Sequence, residues 1–216
     1  MKKLNIPPLS LLLLAALLAA PLQGCLEMAV VGAGAAVMSA IDRRSTGVQV
    51  EDEGIELRAS NRVRERFGDR IHVNITSYNR TVLVTGEVPD SDTRSEIEKI
   101  VQGVSSVRSV VNDMQVAGGS SISSRATDAT TTGKVKARFV DSGRFSAIHV
   151  KVVTEAGVVY LMGIVTEGEA NEAVELARTT GGVRKVVKVF EYCKPTDAIC
   201  ARGARPQAEA PRKSGS

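Results

Sequence analysis

The chain repeats itself. Ile71-His-Val-Asn-Ile-Thr76 aligns with Ile148-His-Val-Lys-Val-Val153, and Val82-Leu-Val-Thr-Gly-Glu-Val88 aligns with Val159-Tyr-Leu-Met-Gly-Ile-Val165. Both alignments share one offset, so they are not chance matches of short apolar words. Gly103-Val104-Ser-Ser-Val107 matches Gly182-Val183-Arg-Lys-Val186 after a small change of length. Repetition on this scale means that one small unit is built twice.

Each copy carries the same order of periodic signals. Ala59, Val63 and Phe67 are spaced four apart, as are Val135 and Phe139, so a helix comes first. Two alternating strands follow, Ile71-Val73-Ile75 with Val82-Val84 in the first copy, turning at Tyr78-Asn79-Arg80. In the second copy Glu155-Ala156-Gly157 makes the turn. A second helix is predicted near Asp92–Gln102 and near Glu167–Thr179, the latter with Thr166 and Glu169 as a capping box. Glu167 and Glu169 are then charges favoured at a helix start. Val-rich strands close the copies near Val107–Val116 and Val183–Tyr192. The fold class is α+β, each copy α-β-β-α-β, with helices packed on a three-stranded sheet. Gly86 and Gly163 sit inside strands, where glycine is unfavourable, and predict close approach of the overlying helix.

The flanks carry different signals. Lys2 and Lys3 precede a Leu/Ala-rich run from Leu9 to Ala20, too short to span a bilayer. Leu22-Gln23-Gly24-Cys25 follows. Residues 1–24 therefore read as a signal peptide. The cysteine at the cut site resembles a bacterial lipobox, which implies a diacylglycerol on Cys25 and an acylated new amine. Two chains already anchor stably at roughly 0.8 kcal/mol per buried CH₂. Residues 25–54 are expected to be a lipidated N-terminus and tether, 55–117 the first domain, 118–128 a Gly/Ser-rich linker and 129–192 the second domain. Residues 193–216, without periodicity, read as a basic disordered tail.

Composition excludes several functions. Without Lys2 and Lys3 the formal charge falls from +4 to +2, and much of the excess lies in the tail, so nucleic-acid binding has no support. No Gly-rich phosphate loop, nucleophile elbow or metal-ligand cluster is present in the sequence, so no enzyme, cofactor or metal is expected. Cys193 and Cys200 lie seven positions apart around Pro195. In an oxidising compartment they are expected to close a short loop, the alternative being two inert thiols. His72 and His149 hold equivalent first-strand positions. A sheet-surface histidine is the expectation for both, with a pH sensor or metal ligand as the alternative.

The unit α-β-β-α-β, with its strand glycine and later Gly-Val-x-x-Val, resembles the BON domain. Two such units behind a lipobox resemble the dual-BON outer-membrane lipoproteins. Leu22-Gln-Gly-Cys25, Asp42-Arg-Arg-Ser-Thr-Gly-Val-Gln-Val50, Val150-Lys-Val-Val-Thr-Glu-Ala-Gly157 and Val159-Tyr-Leu-Met-Gly-Ile-Val-Thr-Glu167 carry the likeness. It covers the chain from the lipobox to about Tyr192. The resemblance implies a non-enzymatic, periplasm-facing envelope protein held on the outer membrane by its N-terminal acyl chains. Leu26 after the cysteine agrees with outer-membrane sorting. It further implies binding of anionic phospholipids, gathering at division sites, support of outer-membrane integrity and a link to β-barrel assembly machinery.

In that family the lipid surface centres on the first helix of the second domain, here roughly Thr130–Ser142. Lys134, Lys136, Arg138 and Arg144 supply charge there, and Phe139, Val140 and Phe145 apolar contact. Each Lys or Arg near an anionic membrane contributes about 1 kcal/mol. The bland alternative is a solvated helix face. Arg58, Arg62, Arg64 and Arg66 make the first-copy helix basic too, so charge alone does not choose between the copies. A second reading makes the protein a periplasmic protein-interaction adaptor.

Overall fold

The computed structural model describes residues 42–118 and 122–202. The expected signal peptide, Cys25 and residues 203–216 lie outside the described residues.

The first copy begins earlier than its apolar periodicity. Helix α1 spans Thr46–Phe67, with Ser45 capping its start by accepting from the Val48 N–H. Ile55, Ala59 and Val63 form its buried stripe, and Gly68, at φ 63°, ends it. Strands β1 (His72–Tyr78) and β2 (Thr81–Val88) pair antiparallel. Helix α2 (Ser91–Gln102) starts on the Asp90 side chain, which accepts from Thr93 N–H. It returns the chain to β3 (Ser109–Asn112) and β4 (Gln115–Val116), both parallel to β2. The third strand of the sheet is thus interrupted where Met114 turns into the core.

The second copy follows the same plan. Helix α3 spans Ile122–Ser142, then β5 (Val150–Glu155) and β6 (Val158–Val165) pair antiparallel. Helix α4 (Glu167–Arg178) carries the capping box between Thr166 and Glu169, and β7 (Lys185–Tyr192) runs parallel to β6. A short helix α5 (Ala198–Ala201) closes the described chain.

Three expectations about the connections are corrected. Residues 46–54 are not tether but the first turns of α1, and residues 122–128 are not linker but the start of α3. Residues 193–202 are not disordered. Cys193 and Cys200 form a disulfide, and Cys200 is buried.

A buried aspartate in each early helix segment explains the helix extensions. Asp52 accepts from the Asn79 N–H at 2.8 Å, the Arg80 N–H at 2.7 Å and the Ser77 hydroxyl at 2.7 Å. Asp128 accepts from the Ala156 N–H at 2.9 Å and the Gly157 N–H at 2.8 Å. Each carboxylate holds the hairpin turn of its own copy. The turns need it, because Asn79, Arg80 and Ala156 all have left-handed φ values of 50°, 65° and 48°. Asp128→Ala is expected to destabilise the second domain by roughly 2–4 kcal/mol, since it frees two N–H groups bonded to a charge. Urea unfolding measures this, and an unchanged midpoint would remove the clamp.

Both faces of the central strands are covered. Val82, Val84 and Val88 face the helices of the first copy, and Val159, Leu161 and Val165 those of the second. The opposite faces of the two sheets pack on each other through Tyr78, Leu83, Tyr160, Met162 and Ile164. The sequence carried this signal in the near-continuous apolar runs of β2 and β6, which suit strands buried on both faces. Polar bonds surround the apolar junction: Tyr160 donates to Asp113 at 2.8 Å, Asn79 to Glu191 at 3.0 Å and Lys151 to Glu56 at 2.8 Å.

Candidate lipid-facing surface

The seven expected lipid-contact residues, on α3 and the turn that follows it, fall into three groups. Val135 and Phe139 point into the second-domain core. After Ser142, Gly143 adopts φ 61° and the chain turns back. That turn sends Phe145 inward, edge-on to Phe139 with ring centroids 5.1 Å apart. Phe139 and Phe145 are 1% and 4% exposed, so neither reaches an acyl boundary. This corrects the expectation for both rings.

Arg138 also has an internal task. Its guanidinium donates to the Leu176 carbonyl at 2.8 Å, and to the Thr179 and Thr180 hydroxyls at 2.9 and 3.0 Å. A cation at the last carbonyls of α4 satisfies orphan acceptors and the helix dipole. Arg144 pairs with Glu172 at 2.6 Å on the surface, and that hydrogen bond raises the Arg144 pKa.

Lys134, Lys136 and Val140 remain on the outward side. Both lysines are exposed, and Val140 is 64% exposed. Among the described residues neither lysine makes an ion pair or a side-chain hydrogen bond. Helix α1 differs. Arg58 pairs with Glu51 at 2.6 Å, Arg66 with Glu96 at 2.5 Å, and Arg62 donates to the Gly103 carbonyl at 2.8 Å. Arg58 and Arg66 are thus matched by carboxylates and Arg62 is tied to a carbonyl, while Arg64 is exposed. The exposed apolar residues of α1 are Val50 and Leu57, seven positions apart and so on one face.

A second polar centre joins the copies, and the sequence did not reveal it. Arg43, 2% exposed, donates to both Glu169 carboxylate oxygens at 2.6 and 2.9 Å, to the Ile164 carbonyl at 2.8 Å and to the Cys200 carbonyl at 3.0 Å. His149 is fully buried in a short 3-10 turn, its Nδ1 3.6 Å from Glu169. It is therefore not a sheet-surface residue. Burial alone would raise the Glu169 carboxyl. His149, Arg43 and the Thr166 N–H outweigh it and hold the group well below its ordinary value. The capping glutamate is thus also the anchor for the chain that leads into α1.

The strand glycines are explained by a neighbour other than the expected one. A Cβ on Gly86 would collide with the His72 carbonyl, and one on Gly163 with the His149 carbonyl. The close approach is by backbone leading into the adjacent strand, not by a helix.

The BON domain model matches residues 55–118 and 127–194. The outer membrane lipoprotein DolP of Haemophilus influenzae is 38% identical over 173 residues, which are 79% of this chain and 90% of that protein. The 21 kDa hemolysin of Actinobacillus pleuropneumoniae is 29% identical over 154 residues, 70% of this chain and 79% of that one. The osmotically-inducible protein Y of Escherichia coli is 30% identical over 117 residues, 53% of this chain and 58% of its own. The chain belongs to the BON family, as a DolP-like dual-BON outer-membrane lipoprotein. No helix among the described residues is long and apolar enough to cross a membrane.

Proposed function

We propose that this protein is a non-enzymatic, periplasm-facing lipoprotein, anchored through acyl chains on Cys25, that binds anionic phospholipid through the outward face of α3. In this reading it supports outer-membrane integrity, at division sites among others. The observation that carries it is exposed Lys136 one helical turn before exposed Val140, with exposed Lys134 on the other flank of the same outward side. Unmatched cations next to an apolar side chain suit the boundary between head groups and acyl chains. Arg58, Arg62 and Arg66 of α1 are held by internal partners and are less available for this, while Arg64 is exposed.

Replacing Lys134 and Lys136 together by Gln is expected to weaken binding to anionic vesicles by about 2 kcal/mol, roughly 30-fold. Replacing Arg58 and Arg66 by Gln should change it far less. Vesicle sedimentation with and without anionic lipid measures both. Loss of binding in the α1 variant alone would move the contact to the other helix. Added salt should weaken binding, because exposed charge is screened over about 8 Å at physiological ionic strength.

The adaptor reading has its own support. Val50 and Leu57 are each 63% exposed on one face of α1. An apolar helix face suits a protein partner such as β-barrel assembly machinery better than it suits charged lipid. The two faces lie on different helices, so both activities fit one protein. Leu57→Glu should spare vesicle binding if α1 serves protein contact.

A further inference from the structure

We propose that His72, Glu87 and Glu155 bind a divalent transition ion of the zinc class at the junction of the two domains. Their ligand atoms all lie within 4.8 Å of one another. The register explains how they meet. His72 on β1 stands directly opposite Glu87 on β2, so both side chains leave the same face of the sheet. That face packs against the second domain, and Glu155, the last residue of β5, arrives from there. Its Oε1 lies 3.7 Å from His72 Nε2. Glu155 is more than 60 positions from either partner in sequence, which is why no ligand spacing is visible in the chain.

The donor set fits the ion. One imidazole and two carboxylates, with no thiolate, suit zinc and its divalent neighbours over copper(I). Zn–N and Zn–O distances of about 2.0–2.2 Å would place the donors about 3.4 Å apart, within reach of modest side-chain turns. Glu87 and Glu155 are each 7% exposed. Two carboxylates buried side by side repel, and a divalent ion offsets both charges. Glu155 is oriented by outer contacts. Asn74 donates to its Oε2 at 2.6 Å and the Thr85 hydroxyl to the same atom at 3.4 Å, leaving Oε1 towards His72. Outer hydrogen bonds of this kind hold metal-binding carboxylates in place.

An ion can reach the site. A cleft of about 290 Å³ opens onto His72 and Glu87 past Pro89 and Val116, with room for water as a fourth ligand. Arg70 also lines the cleft and opposes a cation, so the two carboxylates must provide the attraction. The repeat does not offer the site twice. Ile164 occupies the position equivalent to Glu87 and Tyr78 that equivalent to Glu155. An ion here would tie β1 and β2 of one domain to β5 of the other.

The test uses the full chain in detergent, stripped with a chelator and titrated with zinc chloride. One zinc should bind per chain, and at a hundredfold excess over Kd the thermal midpoint should rise by about 5–10 °C. His72→Ala, Glu87→Gln and Glu155→Gln should each weaken binding at least about tenfold. Cobalt in the unmodified chain should give bands of nitrogen and oxygen ligation. Absence of saturable binding, binding that survives the three replacements, or a thiolate charge-transfer band would overturn the proposal. If a replacement unfolds the chain, the cobalt spectrum and zinc stoichiometry of the unmodified chain decide. Vesicle binding through α3 is read separately, so the two readings fail independently.

Discussion

Gly86→Ala should lower the thermal midpoint by more than about 5 °C, the largest effect expected of any single methyl group in this protein. Two costs add. Gly86 sits at φ 117°, where an L side chain is strained by about 1–3 kcal/mol. Its new Cβ would also meet the His72 carbonyl, with Val73 Cα only 3.1 Å away. Both are backbone atoms of the paired segment and cannot swing aside, so overpacking adds about 1–3 kcal/mol. Gly163 tests the division of these costs. It faces the equivalent carbonyl of His149 but is not among the residues with positive φ. Gly163→Ala should therefore cost less than Gly86→Ala. Gly163→Glu should cost more than either alanine, since it directs a charge towards the core face of Leu161 and Val165. Circular dichroism melting ranks them, and equal midpoints for Gly86→Ala and the unmodified chain would contradict the close backbone approach.

Arg43→Ala is the second large effect. It removes one partner of a buried ion pair and leaves Glu169 without its main cation, a change that typically costs roughly 3–5 kcal/mol. It also frees the Ile164 and Cys200 carbonyls. The lesion lies between the approach to α1 and the second domain, so urea unfolding should lose its single transition or shift it strongly. The effect depends on pH in a fixed direction. The Glu169 carboxyl is depressed in the folded state, so its contribution is present above the ordinary carboxyl value of 4.5 and is lost as pH falls below it. The gap between the unmodified chain and Arg43→Ala should be full at pH 7 and narrow progressively below pH 4.5. A gap that stays constant into acid would mean that the Arg43 contribution does not come from the Glu169 charge.

The strands and the second helix of each copy were legible because their signals are local. Val82-Leu-Val and the Thr166–Glu169 capping box need no distant partner to be read. The helix starts were not. Residues 46–54 contain Gly47 and Gly54, and residues 127–132 are rich in threonine, a weak helix former. In the structure Thr127, Thr130 and Thr131 return their hydroxyls to carbonyls four residues back, which satisfies the side chains without interrupting the helix. Reading those segments as tether and linker concealed Asp52 and Asp128, whose buried positions depend on the helices being longer. An aspartate at nearly the repeat offset was the available signal.

The site divides in the same way. Lys134, Lys136 and Val140 could be placed on the outward side from helical spacing once Val135 and Phe139 were taken as core. Phe145 could not, because its direction depends on the turn at Gly143. Arg138 and Arg144 looked free because their partners, the end of α4 and Glu172, are about 30 to 40 positions away. Arg43 meets Glu169 across 126 positions, beyond any local pattern.

The chain has no tryptophan, so a single introduced indole reports its own surroundings. Val140→Trp on α3 and Leu57→Trp on α1 replace exposed residues on the two competing faces. With anionic vesicles, the emission of Val140→Trp should shift to the blue and be quenched by lipid brominated in the acyl chain. Leu57→Trp should do neither, and neutral vesicles should leave both unchanged. A shift and quench confined to Leu57→Trp, or none from either, would contradict lipid binding through α3.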